Sequence, residues 1–156
     1  MNILFDKTVL FIDLDGTLIK TASGNTFPKD CTDFIIRKEV LDKISERLPN
    51  LFLIGIVTNQ GGIPQFISKG DFEAKVFVTG LYCSSIEKSD KSRKPNTGML
   101  EYLQKEFVGE HDKSQMIMIG DASGKPGDFS DSDKKCAENF GIDYLDVDDF
   151  LNNKGI

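Results

Sequence analysis

Apolar and polar positions fall into alternating blocks along the chain, and the apolar blocks are short. TVLFI at 8–12, LFLIGIV at 51–57 and QMIMI at 115–119 are apolar on nearly every side chain. Runs that are apolar on both faces are typical of strands in a parallel sheet, which is covered on both sides. We predict strands at 8–12, 51–57, 81–86, 115–119 and 142–146.

Helical spacing of apolar residues predicts helices between these strands. In KEVLDKISERL at 38–48, four aliphatic residues recur every three or four positions, and Pro49-Asn50 ends the pattern. The other predicted helices lie at 69–79, at 97–107 with Thr97 as N-cap, at 132–140 ending at Gly141, and at 147–153. Alternation of strands and helices favours an α/β fold with a parallel sheet and helices on both faces.

Two stretches are harder to assign. The polar, Gly- and Pro-containing stretch 20–33 is predicted as a loop or a small hairpin. The end of the 69–79 segment also allows a strand, because VFVTGLYC is rich in β-branched and aromatic residues.

Length, charge and cysteine content narrow the class of protein. A chain of 156 residues predicts a single domain over 1–156. The net charge of -6 argues against broad affinity for nucleic acid but leaves room for a local basic patch that binds one end of it. Three separated cysteines without a CxxC or Cys/His cluster disfavour zinc and favour a reducing compartment. Since no apolar run reaches membrane-spanning length, we expect an intracellular protein, cytoplasmic or nuclear if eukaryotic, without membrane contact.

Polar motifs follow three of the predicted strands: DLDGT, TNQGG and GDASG. The carboxyl ends of parallel strands meet at one crevice, where ligands bind. Asp13 and Asp121 at these ends are hard oxygen ligands suited to Mg²⁺, which would relieve the repulsion between like charges. A carboxylate beside such a metal is a candidate nucleophile toward a phosphoryl group.

Other residues of these motifs fit phosphoryl transfer. Gly16 lets the backbone pass close to a bound anion, Thr58 and Asn59 can donate hydrogen bonds, and Lys94 can supply positive charge. His111, the one histidine, lies in a polar loop away from any triad pattern, which disfavours serine-hydrolase chemistry.

The motifs FIDLDGTL, IVTNQ, RKP and IGDASG resemble the four motifs of the haloacid dehalogenase (HAD) superfamily of phosphohydrolases. FIDLDGTLIKTASGNTFPKDCTDF further resembles the start of the 3′-phosphatase domain of polynucleotide kinase/phosphatases, and TNQGGI, RKPNTGM and GDASGKPGDFSDSDKKCAENFGI resemble its later motifs. The resemblance covers roughly residues 8–151. It implies a three-layer, Rossmann-like HAD sheet without a large cap domain, since the insertions are too short for one.

The resemblance also implies residue roles. Asp13 would be the nucleophile and a metal ligand. Asp15 would be general acid for the leaving 3′-oxygen and then base for the hydrolytic water, with its backbone carbonyl on Mg²⁺. Asp121 would be the third metal ligand. The phosphate group would be bound by Thr58, Asn59, Gly16 and Arg93. Lys94 would steady both the phosphate and the nucleophile. Asp128 and Asp133 are candidates for contacts with the metal's ligands and waters.

We therefore expect a monomeric, Mg²⁺-dependent phosphohydrolase that removes 3′-phosphate from DNA ends in DNA repair through an aspartyl-phosphate. Basic residues in loops near the motifs would hold the nucleic acid: Lys20, Lys88, Lys91, Arg93, Lys125, Lys134 and Lys135. One alternative is a small-molecule phosphatase of the histidinol-phosphate or heptose-bisphosphate type, although the zinc loop usual in those enzymes is absent. A non-catalytic interaction module is disfavoured because degenerate members typically lose an acidic motif residue. Here all four motif residues are present: Asp13, Asp15, Lys94 and Asp121.

Overall fold

The core of the computed structural model, which describes residues 4–30, 32–60 and 77–155, is a five-stranded parallel sheet. The strands within these ranges are β1 (Val9–Ile12), β2 (Ile19–Lys20), β3 (Ile35–Ile36), β4 (Leu53–Asn59), β5 (Phe77–Cys83), β6 (Met116–Gly120) and β7 (Asp143–Asp146). The large sheet has the order β5-β4-β1-β6-β7, and β2 and β3 form a separate antiparallel pair. Between Lys20 and residue 33 the described residues form a loop, the first of the two predicted options, and the short antiparallel pair lies at its two borders.

Helices cover both faces of the sheet, because successive side chains of a strand point to opposite sides. The helices are α1 (Lys38–Arg47), α2 (Gly98–Leu103), α3 (Ser132–Phe140) and α4 (Val147–Leu151). Leu10 and Ile12 of β1 pack with the apolar residues of α1 and α4. Val9 and Phe11 pack with those of α2 and α3 on the other face. The predicted three-layer α/β architecture is confirmed.

The order of the strands places a crevice above β1. After β1 the chain builds β4 and β5 on one side, and it then crosses to β6 and β7 on the other. The register pairs Ile12 with Ile56 of β4 and with Ile119 of β6, so three strand ends lie side by side. Such a switch in direction is where open α/β sheets bind ligands.

Several predicted boundaries are corrected by the structure. Residues 77–79, predicted as the end of a helix, belong to β5, which pairs with β4 from Leu53↔Phe77 to Asn59↔Cys83. Pairing with the neighbouring strand decides this assignment. The rest of the predicted helix, residues 69–76, lies outside the described residues. Thr58 and Asn59, predicted to follow the strand at 51–57, are the last residues of β4.

The helix predicted at 97–107 is α-helical only to Leu103, and a π-helical turn, Gln104–Val108, completes it. The Thr97 side chain does not cap this helix, because its hydroxyl donates to the Glu101 carboxylate at 2.6 Å. The helix predicted at 132–140 is confirmed and ends at Gly141 with φ of 83°.

No helix in the three described ranges is both long enough and apolar enough to cross a membrane. Within the same ranges, no separate domain covers the ends of the strands at the crevice.

Candidate active site

A cleft of about 750 Å³ opens above the carboxyl ends of β1, β4 and β6. Every catalytic residue predicted from the motifs lines it. Its floor is formed by strand-end residues, and its walls come from the loop after β1, the segment before α2 and the loop before α3. The single crevice predicted from three separate motifs is therefore formed.

Lys94 stands at the centre of the floor between two carboxylates. Its Nζ lies 2.6 Å from Oδ1 of Asp13 and 2.6 Å from Oδ1 of Asp133, and it also donates to the carbonyl of Val57 at 2.9 Å. The Lys94 side chain is only 2% exposed. The three acceptors fix the position of this buried ammonium group. Its positive charge therefore stays beside Asp13.

Asp133 is more central than its sequence suggested. It is 1% exposed, and it accepts hydrogen bonds from Lys94 and from the backbone N–H of Ala122 at 3.1 Å. Gly120 makes room for it, since a Cβ there would lie 2.4 Å from Asp133 Oδ2. Helix α3 thus inserts a carboxylate beneath the end of β6.

Asp13, Asp121 and Asp133 form one acidic cluster, in which the three carboxylates each offer an oxygen within 4.8 Å of the others. Gly16 permits the approach of Asp121, because a Cβ at Gly16 would lie 2.0 Å from Asp121 Oδ2. The φ of Gly16 is 80°, which also favours glycine. The loop after β1 and the end of β6 can therefore touch only if position 16 has no side chain.

The charges in this cluster are unbalanced, since three carboxylates surround one ammonium. Burial, with repulsion from Asp133, raises the pKa of Asp13 well above its usual value despite the nearby Lys94. Burial and the Asp133 charge raise the pKa of Asp121 to about 6. For Lys94, burial favours the neutral amine, but Asp13 and Asp133 outweigh it and raise the pKa.

These residues fit a divalent metal. The donors are hard carboxylate oxygens, their spacing suits a common ion, and a positive charge would relieve the repulsion that raises the pKa of Asp13 and Asp121. Mg²⁺ is the cation that takes two carboxylates and leaves positions for phosphate and water.

The Asp15 side chain points away from the acidic cluster toward the end of β4. Its Oδ2 accepts a short hydrogen bond from Nε2 of Gln60, which also donates to the Thr58 hydroxyl at 2.9 Å. Burial raises the pKa of Asp15, while the hydrogen bond from Gln60 and the charge of Lys94 oppose that shift. The two acids of DLDGT are thereby separated in space, as their different predicted roles require.

Asn59 holds the backbone of Lys94. Its Nδ2 donates to the Lys94 carbonyl at 2.9 Å, and its Oδ1 accepts from the Lys94 N–H at 2.8 Å. The strand end therefore holds Lys94 by the backbone through Asn59 and by the ammonium through Val57. Phosphate binding by Asn59 stays a prediction, and the observed contacts point instead to positioning of Lys94.

The remaining predicted residues lie further from the acidic cluster. Arg93 lines the cleft, with Nη1 donating to the Ser85 carbonyl at 2.7 Å. Asp128 accepts from the N–H groups of Ser123 and Lys125, closing the loop after Asp121, and lines an adjoining pocket of about 330 Å³.

The predicted basic residues are divided by the structure. Lys88, Arg93 and Lys135 line the main cleft and Lys125 lines the adjoining pocket, whereas Lys20, Lys91 and Lys134 line neither. Lys125 is paired with Asp146 and Asp149, and Lys135 is paired with Asp131.

Sequence reasoning missed several residues of the cleft. Gln60 lines the cleft and stands inside a recognised motif. Thr17, inside another motif, is buried beneath the cleft and donates to Oδ2 of Asp13 at 3.3 Å. Three apolar side chains on the rim, Phe27, Ile86 and Phe129, are 71 to 72% exposed. The signal available for the latter was a large apolar residue inside an otherwise polar loop.

A protein-family model described as polynucleotide kinase 3 phosphatase matches residues 8–151, which contain every element of the cleft. The chain belongs to the polynucleotide kinase 3 phosphatase family. A bifunctional polynucleotide phosphatase/kinase of Schizosaccharomyces pombe is 38% identical over 157 residues, covering 93% of this chain and 38% of that protein. The chain thus spans well under half of the length of that relative.

Two further likenesses are to proteins with other descriptions. A Thermoplasma volcanium protein named as a D-glycero-D-manno-heptose-1,7-bisphosphate 7-phosphatase is 31% identical over 136 residues, covering 78% of this chain and 90% of that protein. A solved structure from Mesorhizobium loti, described as a HAD-like phosphatase, superposes with a TM-score of 0.60 at 21% identity and covers 94% of this chain and 83% of its own. At that identity the likeness concerns the fold alone, and it agrees with the parallel sheet of order β5-β4-β1-β6-β7.

Proposed function

We propose that this protein is an Mg²⁺-dependent phosphatase that removes the 3′-phosphate from DNA ends during repair. The observation that carries this proposal is the buried Asp13–Lys94–Asp133 arrangement beside Asp121, on the floor of an open cleft. The family membership supports the choice of a polynucleotide end over other phosphate esters.

Asp13 is the proposed nucleophile. One of its carboxylate oxygens bonds to phosphorus as the bond from phosphorus to the 3′-oxygen breaks, and Asp15 transfers a proton to that leaving oxygen. Asp15 then accepts a proton from the water that attacks the aspartyl-phosphate, which releases inorganic phosphate and restores Asp13.

Other side chains orient these two acids. Lys94 contacts Asp13 and supplies positive charge to the phosphoryl oxygens. The Thr58 hydroxyl lines the cleft and can donate a hydrogen bond to the same oxygens. Gln60 keeps the Asp15 carboxyl at the end of β4. Bound to Asp13, Asp121 and the Asp15 carbonyl, Mg²⁺ would supply further positive charge for the phosphoryl group.

The rim of the cleft suits a nucleic-acid end. Phe27, Ile86 and Phe129 present apolar surface to solvent, and aromatic faces bind unpaired bases by stacking. Lys88 stands on the same rim and can contact a backbone phosphate. A small sugar phosphate would leave this apolar surface unused.

A second candidate, a small-molecule phosphatase, is favoured by the extent of the Thermoplasma volcanium alignment, which covers nearly all of that relative. Both candidates share the chemistry of Asp13 and Asp15 and differ in what the rim contacts.

The test offers the protein a 3′-phosphorylated oligonucleotide, the same oligonucleotide with a 5′-phosphate, histidinol phosphate and heptose bisphosphate, each with Mg²⁺ and with a chelator. We expect release of phosphate from the 3′-phosphorylated oligonucleotide, dependent on Mg²⁺ and abolished by Asp13→Asn. Preference for either small ester would replace the proposal with the second candidate. Full activity of Asp13→Asn would show that Asp13 is not the nucleophile.

A further inference from the structure

Residues 84–97, the segment that connects the end of β5 to the start of α2, fold back on themselves at the wall of the cleft. The segment supplies Ile86, Lys88, Arg93 and Lys94 to the cleft. Its turn is closed by hydrogen bonds from Asp90 N–H to the carbonyl of residue 87 at 3.0 Å and from Arg93 N–H to the Asp90 carbonyl at 3.1 Å. The same segment thus carries a catalytic residue at one point and rim residues at another.

Asn96 joins these two parts. Its Nδ2 donates to the carbonyl of Lys88 at 2.9 Å and to the carbonyl of Asp90 at 2.8 Å, so both amide protons hold the turn. The turn also packs against position 98, where a Cβ on Gly98 would lie 2.5 Å from the carbonyl of Lys91. The backbone at Lys88 therefore has a fixed place relative to the start of α2.

The backbone of Asn96 is itself anchored. Its N–H donates to the Arg93 carbonyl at 2.8 Å, and its carbonyl accepts from Sγ of Cys136 on α3 at 3.4 Å. Lys94, two residues earlier, is held by Asn59. Asn96 thus connects the turn that carries Lys88 to the residues that form the floor of the cleft.

Lys88 differs from the other basic residues on the rim because its charged group has no partner among the described residues. Among the three positive side chains on the rim, Lys135 is paired with Asp131 and Arg93 donates to the Ser85 carbonyl. The Lys88 side chain is exposed, and no carboxylate of the described residues pairs with its ammonium. A backbone phosphate that enters the cleft next to the catalytic floor would find this ammonium unpaired.

We propose that Asn96 is a positioning residue that fixes Lys88 beside the cleft and so sets the affinity for a polynucleotide backbone, with little part in the rate of phosphoryl transfer. The inference rests on the proposed function, because it needs a substrate that extends beyond the phosphoryl group. A small aryl phosphate occupies only the floor and reports on the chemistry alone.

The first test compares Asn96→Ala with the intact protein at several salt concentrations. With a 3′-phosphorylated oligonucleotide, we expect KM to rise about fivefold, the size of one exposed charge contact, with kcat unchanged. The slope of log(kcat/KM) against log salt concentration should fall in magnitude by about 0.7, the contribution of one phosphate contact on a single strand. A neutral side chain whose removal lowers a salt slope must act through a charge held elsewhere.

Two matched controls accompany this variant. Asn139→Ala removes another asparagine that donates to a carbonyl of the same segment, that of Pro95 at 3.1 Å, without touching the turn. Lys105→Ala removes an exposed lysine on the π-helical turn. Both should keep the salt slope and the KM for the oligonucleotide.

The second test places Asn96→Ala in a Lys88→Ala background. Lys88→Ala, an exposed substitution that leaves the buried contacts of the fold intact, should by itself lower the salt slope as Asn96→Ala does. If Asn96 acts through Lys88, adding Asn96→Ala should then change KM no further. The proposal is overturned if Lys88→Ala leaves the slope unchanged, if the two effects on KM multiply, or if Asn96→Ala slows aryl phosphate hydrolysis as much as oligonucleotide hydrolysis.

Failure of this inference is distinguishable from failure of the proposed function. An intact protein that shows no preference for the 3′-phosphorylated oligonucleotide over aryl phosphate contradicts the proposed function and removes the basis of the inference. A clear preference that survives Asn96→Ala with its salt slope intact contradicts the inference alone.

Discussion

At the scale of single residues, Asn59 holds the backbone of Lys94, and we expect it to act on catalysis through that contact rather than through the substrate. Asn59→Ala leaves the N–H and the carbonyl of the buried Lys94 without their partners. We expect the free energy of unfolding to fall by about 1–3 kcal/mol. We also expect kcat to fall about 100-fold, because Lys94 shifts relative to Asp13. Urea denaturation and steady-state kinetics measure the two effects.

Direct phosphate binding by Asn59, the interpretation from the motif alone, makes a different prediction. A residue that contacts only the substrate can be removed without loss of stability in the substrate-free protein. Unchanged stability of Asn59→Ala with reduced activity would therefore restore the phosphate-binding role.

Gln60 supports the other acid of the site, so its removal should depend on the leaving group. Gln60→Leu takes away the hydrogen bond that fixes Asp15. General acid catalysis contributes about 100-fold or more when the leaving oxygen is a poor one. We expect a larger loss of kcat/KM for the 3′-phosphorylated oligonucleotide than for p-nitrophenyl phosphate, whose leaving group needs no proton. Equal losses would show that Gln60 does not act through Asp15.

The residues that could be predicted from sequence are those whose chemistry is visible in a short motif. Asp13 and Asp121 follow apolar strands, and the carboxyl ends of parallel strands meet. The central place of Asp133 could not be predicted this way, since it comes from helix α3, whose packing under β6 depends on the missing side chain at Gly120. The role of Gln60 likewise depends on which way Asp15 turns after β1.

At the scale of structural elements, the loop after β1 contacts the end of β6 at Gly16, and we expect activity to depend on that contact. Gly16→Ala places a methyl group where the Asp121 carboxylate stands, and we expect loss of activity and of the thermal shift caused by Mg²⁺. Gly24→Ala is the matched control, because Gly24 has a φ of 79°, close to the 80° of Gly16, and nothing lies within 4 Å of its added Cβ.

Both variants carry the backbone strain of alanine at positive φ, about 1–2 kcal/mol, and should lose similar stability for that reason. Only Gly16→Ala should lose the response to Mg²⁺, measured by thermal unfolding with the metal and with a chelator. Loss of the response in both variants would mean that strain in this loop, rather than contact with Asp121, controls the site.

The elements themselves followed from periodicity where burial is complete. The strands β1, β4 and β6 are apolar on both faces because helices cover both sides, and that pattern cannot be mistaken for an amphipathic helix. β5 was assigned poorly because a short run of mixed residues fits either type of element, and pairing with β4 decides between them. The π-helical turn after α2 has no sequence signal that we can identify.

At the scale of the whole molecule, the acidic cluster links stability to pH and to metal. The pKa of Asp121 is raised from 3.8 to about 6, chiefly by burial and then by Asp133. Between these two values the folded protein keeps a proton that the unfolded chain has released, so the free energy of unfolding falls as pH rises. The pKa of Asp13 is raised for similar reasons and acts in the same direction. Exposed carboxyls whose pKa is lowered, such as Asp30 and Asp131, act only below this window.

We therefore expect the melting temperature in chelator to fall between about pH 4 and pH 6.5, and Asp121→Asn to remove much of that fall. Mg²⁺ at 100 times its Kd should stabilise the protein by about 2.7 kcal/mol. That corresponds to about 5–10 °C for a chain of this size. The shift should be full above about pH 7, where Asp121 is largely ionised, and should shrink toward pH 4, because protons and metal compete for the same oxygens. The exposed Asp42→Asn serves as control and should change neither curve. A melting temperature that is flat across this window, or a Mg²⁺ shift that grows as the pH is lowered, would show that Asp13 and Asp121 do not hold the metal.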